Sequence, residues 1–76
     1  MIIDTKQLQV GENVVFIGYG HSDIAYRRQL LVMGLTPGIT VNITRIAPLG
    51  CPVQIEIRGT ALLLRYDEAQ YLQWER

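Results

Sequence analysis

The sequence predicts a small, mostly β domain: an antiparallel barrel of about five short strands, with one α-helix inserted early and a short helical turn near the C-terminus. Three observations predict it. Short runs of β-branched and aromatic residues recur between turns that carry glycine or proline. Strict two-residue alternation appears twice, at Ile39, Val41, Ile43 and again at Val53, Ile55, Ile57. One segment, Ile24 to Met33, has the composition and the flanking signals of a helix.

Taken in order, Val10-Gly11-Glu12 reads as a tight lead-in turn, and Asn13 to Ile17 as a strand running into Gly18-Tyr19-Gly20. Ser22 is the expected N-cap of the helix, and Asp23 in its first turn suits the positive end of the helix dipole. Gly34 is the expected C-cap, with Pro37 soon after. Ile24, Leu31 and Leu35 share one arc of the helix, and Tyr26, Leu30 and Met33 a second, with Arg27 between them. A short helix buries one stripe, so part of this apolar surface is expected to lie under a loop or to face a partner.

Thr36-Pro37-Gly38 has the form of a type II turn. The alternation that follows slips at Arg45-Ile46, which marks a bulge. Ala47 to Pro52 is a loop, Val53 to Arg58 a strand, and Gly59-Thr60 a two-residue hairpin signal. Ala61 to Arg65 is apolar on both faces and is expected to be central. Asp67 caps a helical turn through Gln70, and Tyr71 to Glu75 alternates as a last short strand. Five strands in so short a chain leave open edges unless the sheet curls on itself, so a small SH3-like barrel is the economical arrangement.

Composition narrows the function. With 76 residues the chain is a single domain, 1–76, and buries only about 60% of the surface its unfolded form exposes. Little is left over for an enclosed catalytic pocket, so no enzymatic activity is expected. Seven basic and seven acidic residues cancel. Proteins that bind nucleic acid through its phosphates usually carry a basic excess, so no nucleic-acid partner is expected. The single cysteine, Cys51, excludes an intramolecular disulfide. No apolar run approaches the ~20 residues of a membrane helix, and the first residues lack the apolar core of a signal peptide. A cytoplasmic protein without direct membrane insertion is expected.

Several signals then stand in one order: the Val-Gly-Glu turn, the helix with Arg27-Arg28, Met33-Gly34-Leu35-Thr36-Pro37-Gly38, Ala47-Pro48-Leu49-Gly50-Cys51-Pro52, Leu62-Leu63-Leu64-Arg65 and Asp67-Glu68-Ala69. From Leu8 to Trp74 the chain resembles the FeoA family, the small cytosolic partners of the bacterial ferrous iron transporter FeoB. It is also similar to the C-terminal domain of metal-dependent repressors of the DtxR type. The resemblance implies an SH3-like barrel, no catalysis, no cofactor, and an accessory role in Fe(II) uptake. That role is exercised on the transporter's cytosolic GTP-binding region at the inner membrane. Cys51 departs from the family, which often carries an acidic residue at that position of the loop.

The ligand-type residues His21, Asp23 and Cys51 raise an alternative, a metal-sensing or Fe(II)-delivering module. Resident metal sites draw three or four ligands from close pairs or one helix face. Here the plainer reading is a turn residue, a helix-terminal acid and an apolar loop filler, so no metal site is expected. The candidate contact surface is a groove between helix and barrel formed by Tyr19, Tyr26, Arg27, Met33, Leu35, Pro48 and Leu49. Aromatics, Met and Arg are enriched at interfaces, and a Leu held between prolines is ordered before it binds. Such exposed apolar surface also favours weak self-association.

Overall fold

The computed structural model describes residues 1–76. Six strands form one antiparallel sheet: β1 (Ile2–Asp4), β2 (Asn13–Gly18), β3 (Thr40–Ile46), β4 (Val53–Ile57), β5 (Thr60–Leu64) and β6 (Gln73–Glu75), in the order β1-β6-β2-β3-β4-β5. A 3-10 turn (Thr5–Gln7) follows β1. Helix α1 (Ile24–Val32) joins β2 to β3, and the single turn α2 (Tyr66–Ala69) joins β5 to β6. Alternation sends Val14, Phe16, Val41, Ile43, Ile55, Leu62, Leu64 and Trp74 to one side of the sheet, where they are buried. One sheet around one core must curl, and it does so without closing. β1 and β5 remain as its two edges. No helix is long and apolar enough to cross a membrane.

The sixth strand, β1, escapes the sequence reading because three residues carry no periodicity. It is held by pairing: Ile3 lies opposite Trp74 on β6, and only Ile3 of the three is buried. The terminal segment is tied down again by Arg76, whose guanidinium donates to Glu12 at 2.8 and 3.1 Å and to the Gln7 carbonyl at 2.6 Å. The tail strand β6 therefore sits between β1 and β2, and Phe16 pairs with Trp74 with ring centroids 5.1 Å apart.

Helix α1 is capped by Asp23 and not by Ser22. The Ser22 hydroxyl donates back to the Tyr19 carbonyl at 2.5 Å, leaving the Asp23 carboxylate to accept from the N–H groups of Ala25 and Tyr26. The helix ends one residue earlier than expected, with Met33 as its cap. Gly34 at φ +98° then lets Leu35 N–H reach the Leu30 carbonyl at 2.9 Å, which closes the turn over two buried leucines.

The type II turn forms as read, with Ile39 N–H donating to the Thr36 carbonyl and Gly38 at φ +94°. So does the bulge, which falls between Ile43 and Arg45. Three expectations shift. The β4–β5 hairpin turns on Arg58-Gly59, both at positive φ, because Thr60 already pairs with Ile57. β5 is an edge strand and not a central one: it pairs only with β4, Leu62 and Leu64 point inward, and Leu63 stands on the outer face. α2 begins at Tyr66, so Asp67 lies inside its first turn and does not cap it.

Candidate interaction surface

The residues around α1 rest on the core through Tyr19. Its ring meets Phe16 edge-on at 5.0 Å, and its hydroxyl donates to the Leu35 carbonyl at 2.6 Å. The Arg27 guanidinium lies over the same ring, 5.7 Å from its centroid. Burial raises the Tyr19 hydroxyl above its ordinary pKa, while the Arg27 charge opposes the rise. Tyr26, one residue earlier, turns toward α2. Its hydroxyl is pushed up to about 12 by burial first and then by the Glu68 and Asp67 carboxylates. That hydroxyl and Arg27 Nε are both buried without a hydrogen-bond partner.

Of the nine residues of α1, only Leu30 is buried. Val32 is 88% exposed and Ile24 62%, with Leu31 and Met33 also open. Sequence reasoning placed Met33 on the surface and left out Ile24 and Val32. The Leu31-Val32-Met33 run was the available signal, since three consecutive apolar residues exceed any single stripe. Leu35 is a correction. It is 0% exposed, packed in the core as the residue that closes the helix, and offers nothing to a partner.

The loop from Ala47 to Pro52 stands apart from α1. Gly50 N–H donates to the Ala47 carbonyl at 2.7 Å, and the Cys51–Pro52 peptide is cis. The loop is tied to α2 where Cys51 Sγ accepts from Tyr66 N–H at 3.4 Å. Pro48 is exposed and Leu49, at the tip, is 96% exposed. Gly34 lies near Ile57 at one end of β4, where an added Cβ would reach its side chain, whereas this loop adjoins Val53 at the other. The single groove read from the sequence therefore divides into two patches: Tyr19, Tyr26, Arg27 and Met33 on the helix side, and Pro48 with Leu49 at the loop.

His21, Asp23 and Cys51 do not assemble. His21 and Asp23 line an open cleft of about 430 Å³ with Tyr26, Asp67, Glu68 and Tyr71, while Cys51 is engaged with Tyr66. No group of three or more His, Cys, Asp or Glu side chains gathers with metal-binding geometry. The three-residue ligand set considered from the sequence is thus not formed.

The FeoA domain family matches residues 6–76. Among solved structures, the FeoA protein of Chlorobium tepidum superposes with a TM-score of 0.86 at 27% identity, covering 96% of this chain and 69% of that one. A FeoA-like protein of Clostridium acetobutylicum gives 0.79 at 30% identity, covering 97% and 85%. A zinc-complexed FeoA of Stenotrophomonas maltophilia, described as a procaryotic SH3 domain protein and a candidate ferrous iron transport activating factor, gives 0.75 at 23%, covering 92% and 86%. The fold is SH3-like, and the chain belongs to the FeoA domain family, which is linked to ferrous iron transport.

Proposed function

We propose that this protein is a cytoplasmic, non-catalytic accessory protein of bacterial Fe(II) uptake, acting by docking on the cytosolic GTP-binding region of a FeoB-type transporter. The observation that carries the reading is the open apolar face of α1. Ile24, Leu31, Val32 and Met33 are exposed beside Arg27 on a helix that buries one side chain. Membership of the family supplies the transport context. Apolar side chains rimmed by aromatic residues and Arg form the composition of an interface core, and the loop at Leu49 is a second, separate patch.

Docking would regulate transport by preferring one nucleotide state of the partner, since a binder shifts an equilibrium only by its differential affinity. The test is calorimetric titration of the purified protein into the isolated cytosolic region of the cognate transporter, with and without a GTP analogue. Binding that depends on the analogue is expected, and Val32→Asp should abolish it. Absence of binding in either nucleotide state would overturn the docking site on that region.

A further inference from the structure

The register of β3, β4 and β5 sets Arg45, Gln54 and Leu63 in one row across the outer face of the sheet, Arg45 opposite Gln54 and Gln54 opposite Leu63. Ala47 and Pro52 of the neighbouring loop complete a recess of about 250 Å³ over that row. Leu63, 57% exposed, forms its wall on the side of the open sheet edge.

That edge has free main chain. A two-residue hairpin makes Ile57 and Thr60 a hydrogen-bonded pair, so alternation makes Ile55–Leu62 and Val53–Leu64 the next ones. The N–H and C=O groups of Ala61 and Leu63 therefore point away from β4. No hydrogen bond from a turn, loop or cap reaches either residue. The other edge, β1, is shorter by two residues and has its Asp4 N–H occupied by the Gln7 side chain at 2.9 Å.

We propose that the β5 edge and the recess beside Leu63 form a docking site for an extended segment of a partner protein, added as a seventh strand. The segment carries a long apolar side chain over Leu63 and a carboxylate two residues away, beside Arg65. Main-chain hydrogen bonds to Ala61 and Leu63 hold the strand, and alternate side chains on the outer face select it. The charges choose its sign. β5 has no acidic residue, Arg65 follows it in outward phase and is exposed, and Arg58 is exposed in the adjoining hairpin. The one carboxylate in these rows, Glu56, stands beside Ala61 at the opposite end from Arg65. A second copy of β5 has no carboxylate to offer Arg65, which favours a different chain as the occupant. This site is separate from the α1 face, and its assignment does not depend on the identity of the transporter.

The test is an NMR titration of the ¹⁵N-labelled protein with a capped hexapeptide of threonines in which phenylalanine and glutamate stand two residues apart. An analogue with lysine for glutamate is the control. Shifts confined to Ala61–Arg65 and the recess are expected, with slowed amide exchange at Ala61 and Leu63 and preference for the glutamate peptide. Ala61→Pro removes an N–H that β4 does not use, so the variant should stay folded and bind about tenfold more weakly or worse. Arg65→Glu should reverse the preference toward the lysine peptide, which no loss of folding would produce. No shift in β5 at millimolar peptide, equal binding of both peptides, or shifts centred on α1 would overturn the site. Dimerisation abolished by Ala61→Pro would assign the edge to a second copy and overturn it equally. A negative peptide result leaves transporter docking at α1 intact, and failed transporter docking leaves the peptide result standing.

Discussion

The Trp74 indole and the Thr5 hydroxyl form a buried relay: Nε1–H donates to Oγ1 at 3.1 Å, and that hydroxyl donates onward to the Ala69 carbonyl at 2.8 Å. Two residues 69 positions apart thereby lock the last strand, the 3-10 turn after the first strand and α2 into one unit. Each polar atom in the relay is satisfied, and both side chains are almost wholly removed from water.

Thr5→Val keeps the shape and removes both hydrogen bonds. It leaves the indole N–H buried without a partner, while the Ala69 carbonyl keeps Leu72 N–H as a donor at 3.1 Å, a loss of about 1–3 kcal/mol. Thr5→Ser keeps the hydroxyl and should lose appreciably less. Urea denaturation of the three proteins checks this. A Val variant as stable as the parent would mean that water replaces the relay.

Gly20 sits at φ +59°, and a Cβ there would collide with the main-chain carbonyl oxygen of Tyr71. Gly18, two residues earlier, has open space around the same position and no positive φ. Gly20→Ala should therefore destabilise by about 2 kcal/mol or more, combining backbone strain with a displaced tail. Gly18→Ala should be neutral or stabilise by up to about 1 kcal/mol by narrowing the unfolded ensemble. Thermal unfolding of the pair separates the two sites, and equal losses would contradict the close approach of Tyr71.

The Tyr26 hydroxyl, buried and unpartnered, has its pKa raised from an ordinary 10.0 to about 12. A group with a raised folded pKa contributes stability that is complete below the unfolded value and is lost as pH rises through the folded one. The parent should therefore weaken as pH climbs from 10.0 toward about 12. Tyr26→Phe should remove this group's share of the decline. At neutral pH it should leave stability unchanged or slightly higher, because it deletes an unsatisfied polar atom. Denaturation midpoints of both proteins across that range, with ultraviolet titration of the phenols, provide the measurement.

Where each structural decision was local, the sequence was sufficient to read it. Alternation at Ile39–Ile43 and Val53–Ile57, the Pro37-Gly38 turn and the slip at Arg45 are signals carried within a few residues. The features that differ depend on distant partners. Ser22 loses the N-cap because Tyr19 engages its hydroxyl, and β5 becomes an edge because the tail strand inserts between β1 and β2. The surface was legible by composition but not by place. Pro48 and Leu49 flagged a real protrusion, yet nothing local shows that β4 separates them from Gly34. Leu35 looked like a helix-face residue until the Leu30 carbonyl drew its N–H inward.

That contrast between Leu35 and Leu49 is itself testable, since the same substitution should act on opposite quantities. Leu35 is 0% exposed among core side chains, so Leu35→Ala leaves a cavity and should lose about 2–5 kcal/mol. Leu49 is 96% exposed at a loop tip, so Leu49→Ala removes almost no buried surface and should shift stability by less than about 0.5 kcal/mol. If the loop belongs to the transporter-docking surface, Leu49→Ala should weaken that binding by about 1 kcal/mol or more. Leu35→Ala should leave binding unchanged at temperatures where the variant is folded. Chemical denaturation and calorimetric titration on the same samples give both numbers. A destabilised Leu49→Ala would return the side chain to the barrel surface, and unchanged binding would restrict docking to the α1 face.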